Sequence, residues 1–397
     1  MKAAMPLPKD IEYIISRLCS NGFRADVVGG CVRDFLLGKL PSDYDLTTSA
    51  TPDEMRAVFS DVRTLDMGIK HGTLTLIVGK SQYEITTYRF DGEYTDNRHP
   101  DRVTFTRSLA DDLARRDFTV NAMCYNGEDG YTDLFDGMGD LEKRIIRAVG
   151  DAEKRFTEDA LRILRALRFS ATLDFEIEQS TSLAIHKTAH LLKKVSKERI
   201  FTEWNKLLSG VGAYRIIKEY GDVIGIFIPE LNNAVLPNER KFTLSTPEIR
   251  ELSLFAGAFE KQAGDSYLSA MSRLKSDNKR KTLGFAALEY YSEKTDTDTD
   301  LKRLLIKVGK DESVAILKLK ILLGLSEETE LTRLLALLDG GVCYRIADLR
   351  INGNDLAEIG IRGKRTGEVL KRLLLLTADG SVENERKSLL KEVAKMT

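Results

Sequence analysis

Near the N-terminus, Ile11, Ile14, Ile15 and Leu18 in "PKDIEYIISRLCSNG" recur at helical spacing, and Gly22 is placed to end that helix. The pattern then shortens. "RADVVGG" reads as a short strand, "CVRDFLLG" as a short helix and "SDYDLTT" as a second strand. "TPDEMRAVFS" opens another helix, with Thr51 as N-cap and Pro52 at the first helical position. "GTLTLIVGKSQYEITTYRF" is rich in β-branched and aromatic residues and predicts two strands joined by a turn at Gly79-Lys80. From residue 151 onward the strand signal nearly vanishes. "EDALRILRALRFSATL", "SLAIHKTAHLLKKV", "KERIFTEWNKLLSG" and "AYRIIKEYGDVIGIF" follow as successive helices. Helices continue to the end, interrupted by the polar "SEKTDTDTD" (292–300), expected to be an exposed loop. The pattern predicts an α/β head followed by a long all-helical body.

Composition narrows this picture little. A chain of 397 residues is too long for one core and implies two to four domains. Hydrophobic content of 42% and charged content of 30% are ordinary for a soluble protein. No apolar run approaches ~18 residues, so no membrane span is expected. "MKAAMPLPKDIEYI" lacks the apolar centre of a secretory signal. Cys19, Cys31, Cys124 and Cys343 show no CxxC or disulfide-framework spacing, which favours a reducing, cytoplasmic setting. His186 and His190 share a helix face, but no acidic or cysteine partner adjoins them in sequence, so no zinc is expected. A net charge of −1 argues against a wholly basic nucleic-acid binder and leaves local patches open.

The chemistry concentrates in "GGCVRDFLLGKLPSDYDL" (29–46). On an extended strand, Asp43 and Asp45 point to one face, with Tyr44 on the other. Paired hard carboxylates suit Mg²⁺, which binds one or two such groups together with substrate phosphates; a polar turn after Pro41-Ser42 is the plainer alternative. Gly29 and Gly30 end a strand and open a helix whose N–H groups can face a triphosphate, and Arg33 adds a cation in the first turn. A second concentration is "RFTEDALRILRALRF" (155–169), where Asp159 and Arg162, at i,i+3, are expected to share a helix face. An ionised aspartate only accepts hydrogen bonds and an arginine only donates. Cytosine and adenine present an amino donor beside a ring-nitrogen acceptor, whereas uracil and guanine present the reverse. One Asp–Arg pair therefore accepts C and A and leaves U and G with unpaired groups. A surface ion pair is the alternative, and Arg165 and Arg168 extend the series as nucleotide contacts or as surface charges.

"VGGCVRDFLLGKLPSDYDLTTSATPDEM" resembles the signature of the class II tRNA nucleotidyltransferases and bacterial poly(A) polymerases. The resemblance implies an α+β chain whose polymerase-β-like head, a small mixed sheet with helices, is followed by an all-α neck, body and tail. It implies a head at 1–147, a neck at 148–212, a body at 213–335 and a tail at 336–397. It makes Asp43 and Asp45 the catalytic metal ligands for Mg²⁺, with Glu84 in "QYEITTY" a third catalytic acid, and Gly29, Gly30 and Arg33 nucleotide contacts. "RRDFTVNAM" (115–123) is similar to the family's second motif, in which Arg116 reaches the nucleotide while Asp117 and Asn121 order the turns. "DLFDGMGDLEKRIIRAVG" (133–150) is like the motif joining head to neck, with Gly137 and Gly139 forming a flexible hinge. "EDALR" resembles the EDxxR motif of CCA-adding enzymes. That likeness makes Asp159 and Arg162 the base-reading pair, Glu158 their orienting group, and Arg165 and Arg168 the nucleotide and phosphate contacts.

"YRFDGEYTDNRHPDRVTF" (88–105) is like the flexible loop absent from CC-only enzymes, with His99 where an arginine is frequent. The segment 361–395, with nine Lys/Arg against five Asp/Glu, resembles the tail that binds the tRNA elbow. The expected activity is addition of C, C and A to the tRNA 3′ end from CTP and ATP, by a monomer or homodimer without membrane contact. A-only addition and poly(A) synthesis are the rivals. A non-catalytic tRNA-binding protein and a nucleotidyltransferase acting on small molecules or proteins stand further off.

Overall fold

The structure, a computed structural model, describes residues 4–66, 68–91, 103–259 and 261–396. The chain forms two compact units, Met1–Phe227 and Ile228–Thr397. In the first, α1 (Lys9–Ser20) buries Ile11, Ile14, Ile15 and Leu18, the face its periodicity predicts. Next come β1 (Ala25–Val28), α2 (Gly30–Leu36), β2 (Asp45–Thr48) and α3 (Pro52–Val58). Thr51 and Glu54 cap α3 reciprocally, a contribution of about 1 kcal/mol. After β3 (Arg63–Leu65), β4 (Thr73–Val78) and β5 (Ser81–Thr87) form the expected pair, turning at Gly79-Lys80. A separate two-stranded ribbon joins β6 (Arg89–Asp91) to β7 (Val103–Phe105). Residues 92–102 of the expected loop, His99 included, lie outside the described residues. Helix α4 (Leu109–Ala114) then leads to β8 (Met123–Asn126) and β9 (Gly130–Asp133).

Seven strands form one sheet in the order β3-β4-β5-β2-β1-β8-β9. The β2–β5 pair is parallel and the other neighbours are antiparallel, a small mixed sheet. All four residues of β1 are buried, as suits a central strand. Its register sets Val28 opposite Asp45, so the glycine turn after β1 lies beside the start of β2. Then follow α5 (Gly137–Lys143), α6 (Ala152–Glu158), α7 (Leu161–Leu173), α8 (Gln179–Thr188), α9 (Lys197–Leu208), α10 (Ala213–Glu219) and α11 (Gly221–Gly225).

Gly137 and Gly139 do not form a hinge. Both lie within α5, where a Cβ on Gly137 would fall 2.3 Å from the Thr119 carbonyl oxygen and one on Gly139 2.4 Å from the Asp136 carboxylate. At Gly137 the obstructing group is fixed backbone that leaves no room for a side chain, whereas at Gly139 it is the Asp136 side chain, which can turn aside.

Among its described residues the second unit is helical throughout. Leu301, Leu305, Leu317 and Leu334 make one core cluster. A second cluster, with Leu356, Leu373, Leu374, Leu389 and Val393, packs the helices Lys364–Ala378 and Arg386–Met396 together. Most of the polar run 292–300 is exposed, as expected, with one exception. Thr295 is fully buried, donating to Glu330 and accepting from the Lys320 ammonium, while Thr297 and Asp300 cap the helix Asp298–Val308. No described helix is long and apolar enough to cross a membrane.

Gly137→Ala is expected to destabilise the chain by about 1–3 kcal/mol, because the obstructing atom is backbone and cannot rotate away. Urea unfolding measures this; an unchanged midpoint would restore the hinge.

Candidate active site

Asp45 is the first residue of β2. Asp43 precedes the strand, and its Oδ1 accepts from the Tyr44 N–H at 2.9 Å. Glu84 lies on β5 one residue before Ile85, which pairs with Leu46. The three acids therefore gather at one end of the β2–β5 pair. Desolvation within this end of the sheet raises the Asp45 carboxyl, and repulsion from Asp43 and Glu84 adds to it against the pull of Arg116. Among the described residues, no three His, Cys, Asp or Glu side chains stand close enough to hold a metal ion unaided. Asp43, Asp45 and Glu84 thus interact through their charges without forming a closed cage.

The glycine turn sits against the arginines. Gly29 has φ +80°, a left-handed value that favours glycine, and a Cβ there would lie 3.3 Å from Arg116 Nη1. Gly30 begins α2, and Arg33 Nη1 donates to Asn121 Oδ1 at 2.7 Å while its Nε donates to Asp34 at 2.9 Å. Arg116 is held by Asp112 at 3.3 Å, and its buried Nε has no hydrogen-bond acceptor among the described residues. Asp112 is fully buried and also accepts from Arg115 and from Thr47 Oγ1. Desolvation opposes its charge, yet Arg115 and Arg116 leave its carboxyl below the ordinary range. Thr47 belongs to β2, so one buried carboxylate ties these arginines to the strand that carries Asp45.

Asp159 and Arg162 do not share the face of one helix. Helix α6 ends at Glu158, Asp159 is extended at φ −136° and ψ 103°, and α7 starts at Leu161. The break is local chemistry: Asp159 Oδ1 accepts from the Leu161 N–H at 3.0 Å, a competing bond that aspartate offers the backbone. Nor do the two side chains form a salt bridge with each other. Asp159 Oδ2 accepts from Arg199 Nη2 at 2.9 Å. Arg162, only 8% exposed, donates to Glu158 at 2.9 Å and to the Arg115 carbonyl at 2.9 Å. Arg165 Nε donates to buried Asp117 at 2.7 Å, and Arg168 Nε to buried Glu203 at 2.8 Å. Desolvation again works against the Asp117 charge, but Arg165 and Asn121 hold its carboxyl low.

The sequence matches three families, described as "Poly A polymerase head domain" over residues 25–147, "Probable RNA and SrmB- binding site of polymerase A" over 174–233 and "tRNA nucleotidyltransferase domain 2 putative" over 250–393. The CCA-adding enzyme of Leuconostoc mesenteroides subsp. mesenteroides is 36% identical over 401 residues, covering 96% of this chain and 94% of that protein. That of Streptococcus suis is 37% identical, covering 97% and 96%. The chain belongs to the CCA-adding enzyme family. Bacillus stearothermophilus CCA-adding enzyme in complex with CTP has the same fold, with a TM-score of 0.81, 31% identity and 99% of each chain covered. The Thermotoga maritima CCA-adding enzyme complexed with tRNA, at 22% identity and a TM-score of 0.69 over 98% of this chain and 97% of that one, shares the fold.

Within this CCA-adding family member, sequence reading missed Asp112, Arg199 and Glu203. Arg199 and Glu203 stand at i,i+4 on α9 beside the buried Ile200, Trp204 and Leu207. A glutamate among buried apolar positions is itself a signal, since such a charge is rarely buried unpaired. Asp112 carried a weaker one, three and four residues before Arg115 and Arg116.

Asp45→Asn tests the crowding of acids. Because the folded state raises the Asp45 carboxyl, its ionisation opposes stability once pH passes the ordinary carboxylate range. The variant is expected to melt higher than the parent at pH 7 without divalent ions, to match it at about pH 3, where both carry a neutral side chain, and to lose about a thousandfold in nucleotide transfer. Calorimetry across pH and a turnover assay read both; equal melting at pH 7 would remove the repulsion.

Proposed function

We propose that this chain adds C, C and A to the 3′ end of tRNA from CTP and ATP, releasing pyrophosphate without a nucleic-acid template. The observation that carries the reading is the separate anchoring of Asp159 and Arg162. Arg199 steadies the acceptor, Glu158 with the Arg115 carbonyl steadies the donor, and a carboxylate and a guanidinium so held still keep lone pairs and N–H groups for a base. A base with an amino group beside a ring acceptor satisfies both, and the reverse pattern satisfies neither. The CTP held by the Bacillus stearothermophilus relative fits this choice.

Gly29 and Gly30 admit the triphosphate close to the backbone, and Arg33, Arg116, Arg165 and Arg168 supply its countercharge. The unpartnered Arg116 Nε is a donor that a phosphate oxygen would satisfy. Asp43 and Asp45 offer hard oxygen donors, which suits Mg²⁺ completed by nucleotide oxygens rather than a protein cage. When bound there, Mg²⁺ supplies charge neutralisation for the reacting phosphates. Glu84 adds negative potential at the same end of the sheet. The residues then act mainly by positioning: they hold the α-phosphorus within reach of the RNA 3′-hydroxyl and exclude the wrong base. The tail, where Arg362, Lys364, Arg365, Lys371 and Arg372 are exposed, offers phosphate contacts to the tRNA elbow, giving affinity without sequence reading. We retain the division into head (1–147), neck (148–212), body (213–335) and tail (336–397) as the working map of these roles.

Extension of two tRNA transcripts, one ending at the discriminator base and one in CC, tests the reading. With CTP and ATP together, the first is expected to gain three nucleotides and stop, and Asp159→Ala is expected to admit UTP or GTP at least ~10-fold more often. Addition only to the CC-ending transcript would assign A-only activity, and long A tails would assign poly(A) synthesis.

A further inference from the structure

Of the arginines proposed to meet the triphosphate, Arg33 on α2 and Arg165 and Arg168 on α7 each have an acid of their own, Asp34, Asp117 and Glu203. One group is shared by three of them. The guanidinium carbons of Arg168, Arg33 and Arg165 stand 3.6, 5.2 and 5.3 Å from the centre of the Phe169 ring. Phe169 lies on α7, is 6% exposed, and is seated by the edge of Phe118, with centroids 5.7 Å apart and planes at 78°. The three carboxylates offset only part of the repulsion among three cations gathered on one ring. The π-face of an aromatic ring offsets part of that repulsion, and more effectively where water is excluded.

We infer that Phe169 is a positioning residue for nucleotide phosphates: its ring holds Arg33, Arg165 and Arg168 in one arrangement before the triphosphate arrives. The inference rests on reading those arginines as phosphate contacts. A leucine at 169 keeps the apolar packing and removes the π-face from all three cations together, whereas loss of any one acid frees a single arginine. Since phosphates are common to every nucleotide, Phe169 governs affinity for CTP and ATP alike and leaves the choice between bases to Asp159 and Arg162.

The test measures CTP and ATP binding to the RNA-free full chain by calorimetry, with KM and kcat for tRNA extension alongside. Phe169→Leu is expected to weaken binding of both nucleotides about tenfold and to change kcat by less than about threefold. Phe169→Tyr is expected to keep near-parent affinity. Replacing Phe169 by phenylalanines of increasing fluorination leaves the volume almost unchanged while draining the π-face, so affinity is expected to fall stepwise along the series. That series still decides the matter if the leucine variant does not fold. Constant affinity across the fluorinated set, or a change in the CTP-to-ATP ratio, would overturn the inference. Parent protein that binds CTP yet extends no tRNA would sink the CCA-adding reading while the fluorinated series still judges Phe169.

Discussion

The buried Asp117 carboxylate, paired with Arg165, is the joint on which the rest of the site depends. Its other oxygen receives the Phe118 N–H at 2.8 Å and Asn121 Nδ2 at 3.3 Å, and Asn121 in turn receives Arg33. A continuous chain of polar contacts therefore runs from the glycine turn through the RRDF segment to α7. Burying such charges is costly, and removing one member of a buried pair typically costs about 3–5 kcal/mol because the other is left uncompensated. That cost makes the arrangement specific: α7 can dock on the sheet in the register that gives Asp117 its arginine, and a slip in either element strands a charge.

The same logic orders the neighbouring cations. Asp112 serves Arg115, Arg116 and Thr47, and Glu203 serves Arg168. The site thus holds its positive charge ready without a bound anion, because each guanidinium is steadied on one side by a carboxylate. At the opposite sign, Asp43 and Glu84 raise the Asp45 carboxyl through repulsion added to desolvation, an uncomfortable state that a cation relieves. In the proposed function, the preorganised positive groups serve the triphosphate and the crowded negative groups its counter-ion, complementary halves of one electrostatic design.

Much of this was legible before the fold was known. The turn at Gly79-Lys80, the Thr51 cap and the apolar face of α1 follow from local rules, and the structure has all three. What escaped was non-local or hidden in a competing bond. Helical periodicity runs straight through 155–169, yet Asp159 takes the Leu161 N–H and breaks the helix, although aspartate's fondness for such turns was there to be read. The partners of Asp159 and Arg168 come from α9, some forty residues on, a distance over which sequence spacing carries no signal. Thr295 looked solvated because its partners, Lys320 and Glu330, are far along the chain. Gly137 looked like freedom and is close packing against backbone instead.

The central claim is that protein side chains, not a paired strand, choose the nucleotide. Its most direct measurement is competition among CTP, ATP, UTP and GTP for the RNA-free chain. With Asp159 and Arg162 as the proposed base readers, CTP and ATP are expected to bind at least ~10-fold more tightly than UTP and GTP. Four equal affinities would contradict the claim and move base selection to the RNA.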